Sequence, residues 1–61
     1  FTRLFTARQE EVLEAAVELG YYRVPRDAEL ADIADAVGIS RATASEHLRK
    51  VEERVFSEIV H

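Results

Sequence analysis

Residues 40–50 bring together Ser40, Arg41, Ala42, Thr43, Ser45, Glu46, Arg49 and Lys50, a set suited to gripping phosphates and base edges. A guanidinium presents a planar fork of donors that fits two acceptors at once, so Arg41 and Arg49 can each clamp a guanine edge or a phosphate. Ser40 and Thr43 suit phosphate oxygens, through their hydroxyls or through the N–H groups of a helix start. The Ala42 methyl can touch a thymine methyl, and Lys50 can reach a phosphate. Glu46 is the awkward member: it either accepts from a cytosine amino group or repels phosphates and so filters wrong sites.

These side chains act together only if one element carries them on one side. A helix starting at Ser40 would do so. With Ala44, Leu48 and Val51 turned inward, the 3.6-residue period leaves Arg41, Ala42, Ser45, Glu46 and Arg49 outward. Ser40 is a strong N-cap residue. Ile39 before it and Ala44 four positions in can pack as a hydrophobic staple. The apolar series Ala44, Leu48, Val51, Val55, Ile59 continues at steps of three and four, and nothing before Val60 breaks a helix. The spacing predicts one long helix, straight or bent near Val51.

Two shorter helices precede it. Thr6 and Gln9 fit the reciprocal capping pattern, and Val12, Leu13, Ala16 and Val17 recur at helical spacing. Gly20 suits the left-handed position past the helix end. Glu10, Glu11, Glu14 and Glu18 would form its solvated side. Residues 21–26 form a connector in which Pro25 biases Val24 to an extended backbone. Asp27 is the expected cap of the second helix. There Leu30, Ile33, Ala34 and Val37 make one apolar stripe, with Asp32 and Asp35 facing out and Gly38 ending it. The fold class is all-α, a small helical bundle. A short apolar helix, Gly38, Ile39 and a capped Ser40 are the parts of a helix-turn-helix: small Ala34 for close approach, glycine for the turn, Ile39 as plug. In that motif the later helix enters the major groove. The combination favours DNA binding over a plain three-helix bundle with solvated charges.

Other chemistry finds little footing. Carboxylates are plentiful but form no pair in a cleft, and no nucleophile-and-base set or Gly-rich phosphate loop is present, so an enzyme is excluded. No cofactor is called for. His47 and His61, with no cysteine in the chain, make a poor metal site, and His47 reads as a half-buried packing residue. Tyr21 and Tyr22 are expected to close the core or pack on the second helix with their hydroxyls at the surface; stacking on bases is the alternative. Arg23 and Arg26 are either phosphate contacts or solvated charges.

The chain has 61 residues and a net charge of −4, a single small domain of 1–61 that hides only about 60% of its unfolded surface. The negative charge is uneven. Residues 1–26 are neutral, 27–39 and 51–61 are acidic, and 40–50 alone are net basic. Seven of eight basic residues are arginine. Excess acid with few lysines is a halophile-like balance that stays hydrated in strong salt; a mildly acidic mesophilic domain is the alternative. The absence of methionine and the start on Phe1 suggest a fragment of a larger regulator. No run is apolar enough to span a membrane, and a cytoplasmic location is expected.

Val55, Phe56, Ile59 and Val60 exceed what so small a core can receive. They either form a homodimer interface, offering two reading helices to a two-fold related site, or cover Phe1, Leu4 and Phe5 of their own bundle. A competing function is a protein-interaction module without base readout, contacting partners through the acidic second helix. No membrane and no small-molecule partner is expected.

Several stretches together resemble one family: Thr6-Ala7-Arg8-Gln9 with Glu11-Val12-Leu13, Gly20-Tyr21-Tyr22, Val24-Pro25-Arg26, Gly38-Ile39-Ser40, and Ser45-Glu46-His47-Leu48-Arg49. This is the helix-turn-helix domain of haloarchaeal bacterio-opsin activator-like regulators. The resemblance covers nearly the whole chain, and the Gly-Tyr-Tyr…Val-Pro-Arg segment is its most specific part. It implies a C-terminal DNA-binding domain behind sensory domains such as PAS or GAF, and transcription regulation in a salt-loving cell. It also implies a fold similar to region 4 of sigma factors, with residues 40–50 as the recognition segment. One departure is Ala44, where the family often has a larger aliphatic residue, implying looser packing beneath the recognition helix.

Overall fold

The computed structural model describes residues 4–60. It contains three helices, α1 (Ala7–Leu19), α2 (Leu30–Val37) and α3 (Arg41–Val60), and each packs against both others. No strand occurs among the described residues.

Local signals start and stop these helices. Thr6 Oγ1 accepts the Gln9 N–H and Gln9 Oε1 accepts the Thr6 N–H, both at 3.1 Å, so the reciprocal cap forms as the residue types require. Gly20 and Gly38 end α1 and α2 at φ 89° and 84°, left-handed backbone that strains any residue with a Cβ. The start of α2 differs from expectation. Asp27 does not cap it; Glu29 occupies the cap position, and its N–H donates to the Asp32 carboxylate at 2.8 Å. Asp27 is engaged elsewhere. Its N–H donates to the Gly20 carbonyl at 3.0 Å, and its carboxylate lies 3.8 Å from Arg23. These contacts close the connector into a compact loop, and Ala28 buries before the helix begins.

The core is built from Val12 and Ala16 of α1, Ile33 and Ala34 of α2, and Ala44 and Leu48 of α3. Three of the six are alanines, which let the helix backbones approach closely. Ala44 is fully buried in the centre of the seam. Leu30, Val37, Ile39, Ala15 and Tyr21 pack around this centre, and Val51 buries one turn further along α3. Val12, Ile33 and Leu48 each contribute about 1.5–3 kcal/mol by leaving water. Val17 is not a core residue. It is 61% exposed, because Val12 and Ala16 already fill the inward side of α1 and Val17 falls beyond it. Leu4 and Phe5 are half-buried, and Phe1 lies outside the described residues.

The two glycines should differ in what they tolerate. A Cβ on Gly38 would meet nothing within 4 Å, whereas one on Gly20 would come 2.7 Å from the Asp27 Cβ. Gly38→Ala is expected to cost about 1–2 kcal/mol from backbone strain alone. Gly20→Ala should cost clearly more, since the connector must also shift. Denaturant unfolding of the two variants measures the difference, and equal losses would contradict this account.

Candidate nucleic-acid interface

The inward seam of α3 sets what its other side presents. With Ala44, Leu48 and Val51 buried, Arg41, Ala42, Glu46, Arg49 and Lys50 are exposed and Ser45 is half-buried. Two shallow open hollows lie on this surface and share Ala42 and Ser45. One is bounded by Arg41 and by Glu29, Leu30 and Ala31 of the α2 start; the other is bounded by Thr43, Glu46 and Arg49. Of the expected set, Arg41, Ala42, Thr43, Ser45, Glu46 and Arg49 line these hollows, whereas Ser40 and Lys50 line neither. The α2 rim was not legible from spacing, because it arises from how α2 crosses α3.

Ser40 starts the helix as its residue type predicts. Its Oγ accepts the Thr43 N–H at 3.1 Å and donates to Thr43 Oγ1 at 2.9 Å. Thr43 is thus half-buried in the cap rather than fully displayed. The N–H groups of Arg41 and Ala42 precede the intrahelical ladder and carry the positive end of the helix dipole.

Charge pairing separates the cations into two groups. Arg8 lies 3.3 Å from Glu11, Arg23 3.8 Å from Asp27, and Arg54 3.9 Å from Glu58. Arg26 stacks over the Tyr21 ring, 4.2 Å from its centroid, and its Nε donates to the Tyr21 carbonyl at 3.0 Å. Arg41, Arg49 and Lys50 have no carboxylate within 4 Å among the described residues. Among the described residues, the cations with no ion-pair, hydrogen-bond or ring partner thus all lie in the first half of α3. Arg23 and Arg26 are exposed and contact residues of the connector.

Tyr21 and Tyr22 meet edge-to-face at 5.0 Å. Tyr21 is half-buried on the core, and the Tyr22 hydroxyl donates to Glu52 Oε2 at 2.5 Å. Burial pushes the Tyr22 phenol well above its ordinary pKa, and the bond to Glu52 and the negative charge there push it further. It is therefore a neutral donor at physiological pH. This contact between connector and α3 had no signal in the spacing, since thirty residues separate its partners. His47 is half-buried with an unpartnered Nδ1. No group of three or more metal-ligating side chains gathers among the described residues, and His61 lies outside them. No described helix is long and apolar enough to cross a membrane.

Comparison with known proteins agrees with this geometry. The model of the family described as "HTH DNA binding domain" matches residues 5–57. The chain is 44% identical over 55 residues to the transcriptional regulator NarO of Haloferax volcanii, covering 90% of this chain and 26% of that protein. It is 46% identical over 50 residues to the dimethyl sulfoxide reductase transcriptional activator of Halobacterium salinarum, covering 82% of this chain and 22% of that protein. A protein of the same description in Haloferax volcanii shows 46% identity over 50 residues, covering 82% of this chain and 24% of that protein. The chain thus spans about a quarter of the length of these relatives. No solved structure matches it.

Because Arg41, Arg49 and Lys50 have no partner to lose, replacing each by alanine should change unfolding free energy by no more than about 0.5 kcal/mol. Ser40→Ala, which removes a cap, should cost about 1 kcal/mol. Thermal or urea unfolding of the four variants checks both. A large loss at Arg41 or Arg49 would mean that these side chains support the fold instead of facing a ligand.

Proposed function

The chain belongs to the HTH DNA binding domain family, in its haloarchaeal bacterio-opsin activator type, and from that premise we propose that residues 40–50 are the segment that reads DNA. The domain serves DNA-binding transcription regulation and is not an enzyme. The observation that carries the finer reading is the charge sorting: in a chain of net charge −4, the described cations with no ion-pair, hydrogen-bond or ring partner are Arg41, Arg49 and Lys50, all on the exposed side of α3.

In this reading α3 lies in the major groove with its N-terminal half toward the bases. Arg41 and Arg49 make bidentate contacts to guanine or phosphate, and Ala42 and Ser45 sit between them. Ser40, Thr43 and the first N–H groups of α3 meet the backbone, Lys50 neutralises a phosphate, and Glu46 selects against wrong bases. The alternative, docking of a protein on acidic α2, has less to work with, because the Asp32 carboxylate is occupied as a cap.

The remaining assignments are proposals of the same kind. Residues 1–61 act as the DNA-binding domain of a longer, cytoplasmic regulator, and the excess of acid keeps it hydrated in strong salt. Val55, Phe56, Ile59 and Val60 pair two copies. Val55 is half-buried, while Phe56, Ile59 and Val60 are 60%, 72% and 84% exposed on the outer end of α3. Pairing there would hide them and present two reading helices to a two-fold related site.

Selection from random duplexes in strong potassium chloride tests the reading. An enriched, symmetric site is expected. Arg41→Ala and Arg49→Ala should each weaken binding to it by about 1–3 kcal/mol, while Lys50→Ala should weaken all sequences alike and flatten the salt slope by about one. Asp35→Asn should change little. With so few phosphate contacts the slope should be shallow, about −3 per subunit. No enrichment, or full affinity in both arginine variants, would refute the assignment. Sedimentation showing only monomer at high concentration in molar salt would remove the pairing.

A further inference from the structure

Arg49 is surrounded in sequence by carboxylates: Glu46 three residues before it, Glu52 three after and Glu53 four after. Residues three or four apart on a helix are neighbours, and this chain pairs Arg8 with Glu11 and Arg54 with Glu58 at those spacings. Arg49 pairs with none of its three neighbours. Glu53 accepts the Ser57 hydroxyl at 3.5 Å, and Glu46 is exposed on the proposed reading side.

Glu52 has a different and specific engagement. It lines the same small hollow as Arg49, together with Tyr21, Ser45 and Leu48. Yet its Oε2 is taken by the Tyr22 hydroxyl at 2.5 Å. The donor is itself fixed. Tyr22 meets the edge of Tyr21 at 5.0 Å, and Tyr21 is held by the core on one side and by Arg26 on the other. A carboxylate that could reach the guanidinium is therefore tethered to the connector. We propose that Tyr22 is a positioning residue for the DNA interface: by holding the Glu52 carboxylate it keeps the Arg49 guanidinium free to meet DNA. The proposal rests on the reading of Arg49 as a DNA contact. It adds a residue of the connector, outside the helix-turn-helix itself, to what sets affinity.

Removing only the hydroxyl, in Tyr22→Phe, should release Glu52 to compete for Arg49. An exposed pair of this kind is weak, so affinity for the enriched duplex at fixed potassium chloride should fall roughly three- to fivefold. Glu52→Gln in the same chain, which leaves no charge to compete, should restore it. In an Arg49→Ala background Tyr22→Phe should have no further effect. A purely structural role for Tyr22 would instead give a loss that Glu52→Gln does not rescue, accompanied by a lower unfolding temperature. That outcome overturns the proposal, as does unchanged affinity in Tyr22→Phe when Arg49→Ala binds weakly. Unchanged affinity in Arg49→Ala would refute the assignment of Arg49, and the positioning role would fall with it.

Discussion

The rotation of α3 about its own axis is the constraint on which the rest depends. Ala44 and Leu48 are locked among Val12, Ala16, Ile33 and Ala34, and Val51 extends the seam by a turn. A helix advances 100° per residue, so a one-residue slip of this seam would bring Ser45 and Arg49 toward the core. Burying a guanidinium without a partner costs far more than the small apolar core can offset. The seam thus enforces its register twice, by attraction on its apolar side and by exclusion on its charged side. The alanines sharpen this effect, because close backbone contact leaves no room for a rotated alternative.

With the rotation fixed, charge follows by local chemistry. Arg8 with Glu11 and Arg54 with Glu58 pair at spacings of three and four. Such pairs are exposed and stabilise little, but they consume positive charge. The first half of α3 escapes this neutralisation. Ser40 and Thr43 are absorbed in capping each other, and Glu52 is held by Tyr22. An acidic chain can in this way keep a local cationic surface without a large basic patch.

The parts legible in the sequence were those governed by neighbours a few residues apart. Thr6 with Gln9, Gly20, Gly38 and the Ser40 cap act within one helical turn, and their residue types suffice to place them; the bonding of Ser40 to Thr43 was not read. The apolar stripes of α2 and α3 were legible for the same reason. Asp27 misled because the cap rule favours the short aspartate over glutamate, whereas in the fold Glu29 takes the cap position. Only the folded connector, with Asp27 bonded back to Gly20, decides between them. Val17 misled because an apolar residue at a plausible spacing does not reveal how wide the buried stripe is. The Tyr22–Glu52 bond lies beyond any periodic pattern, since it exists only after α1 and α3 have packed and brought the connector alongside.

In strong salt the two ends of α3 would play complementary parts. High ion concentration reduces the gain from releasing counterions at phosphates, so the proposed reading surface, with Arg41, Arg49 and Lys50 as its free cations, would have little general electrostatic attraction to rely on. Affinity must then come from base contacts, shape fit and the number of helices engaged at once. Apolar association is far less subject to ionic screening than charge attraction is. An apolar end carrying Phe56, Ile59 and Val60 therefore retains its tendency to be covered under conditions that weaken the charged end. If two copies pair there, the second helix binds as an effectively intramolecular event, and avidity replaces what screening removes. On this view the exposed apolar end of α3 would complement the sparse charge of its head.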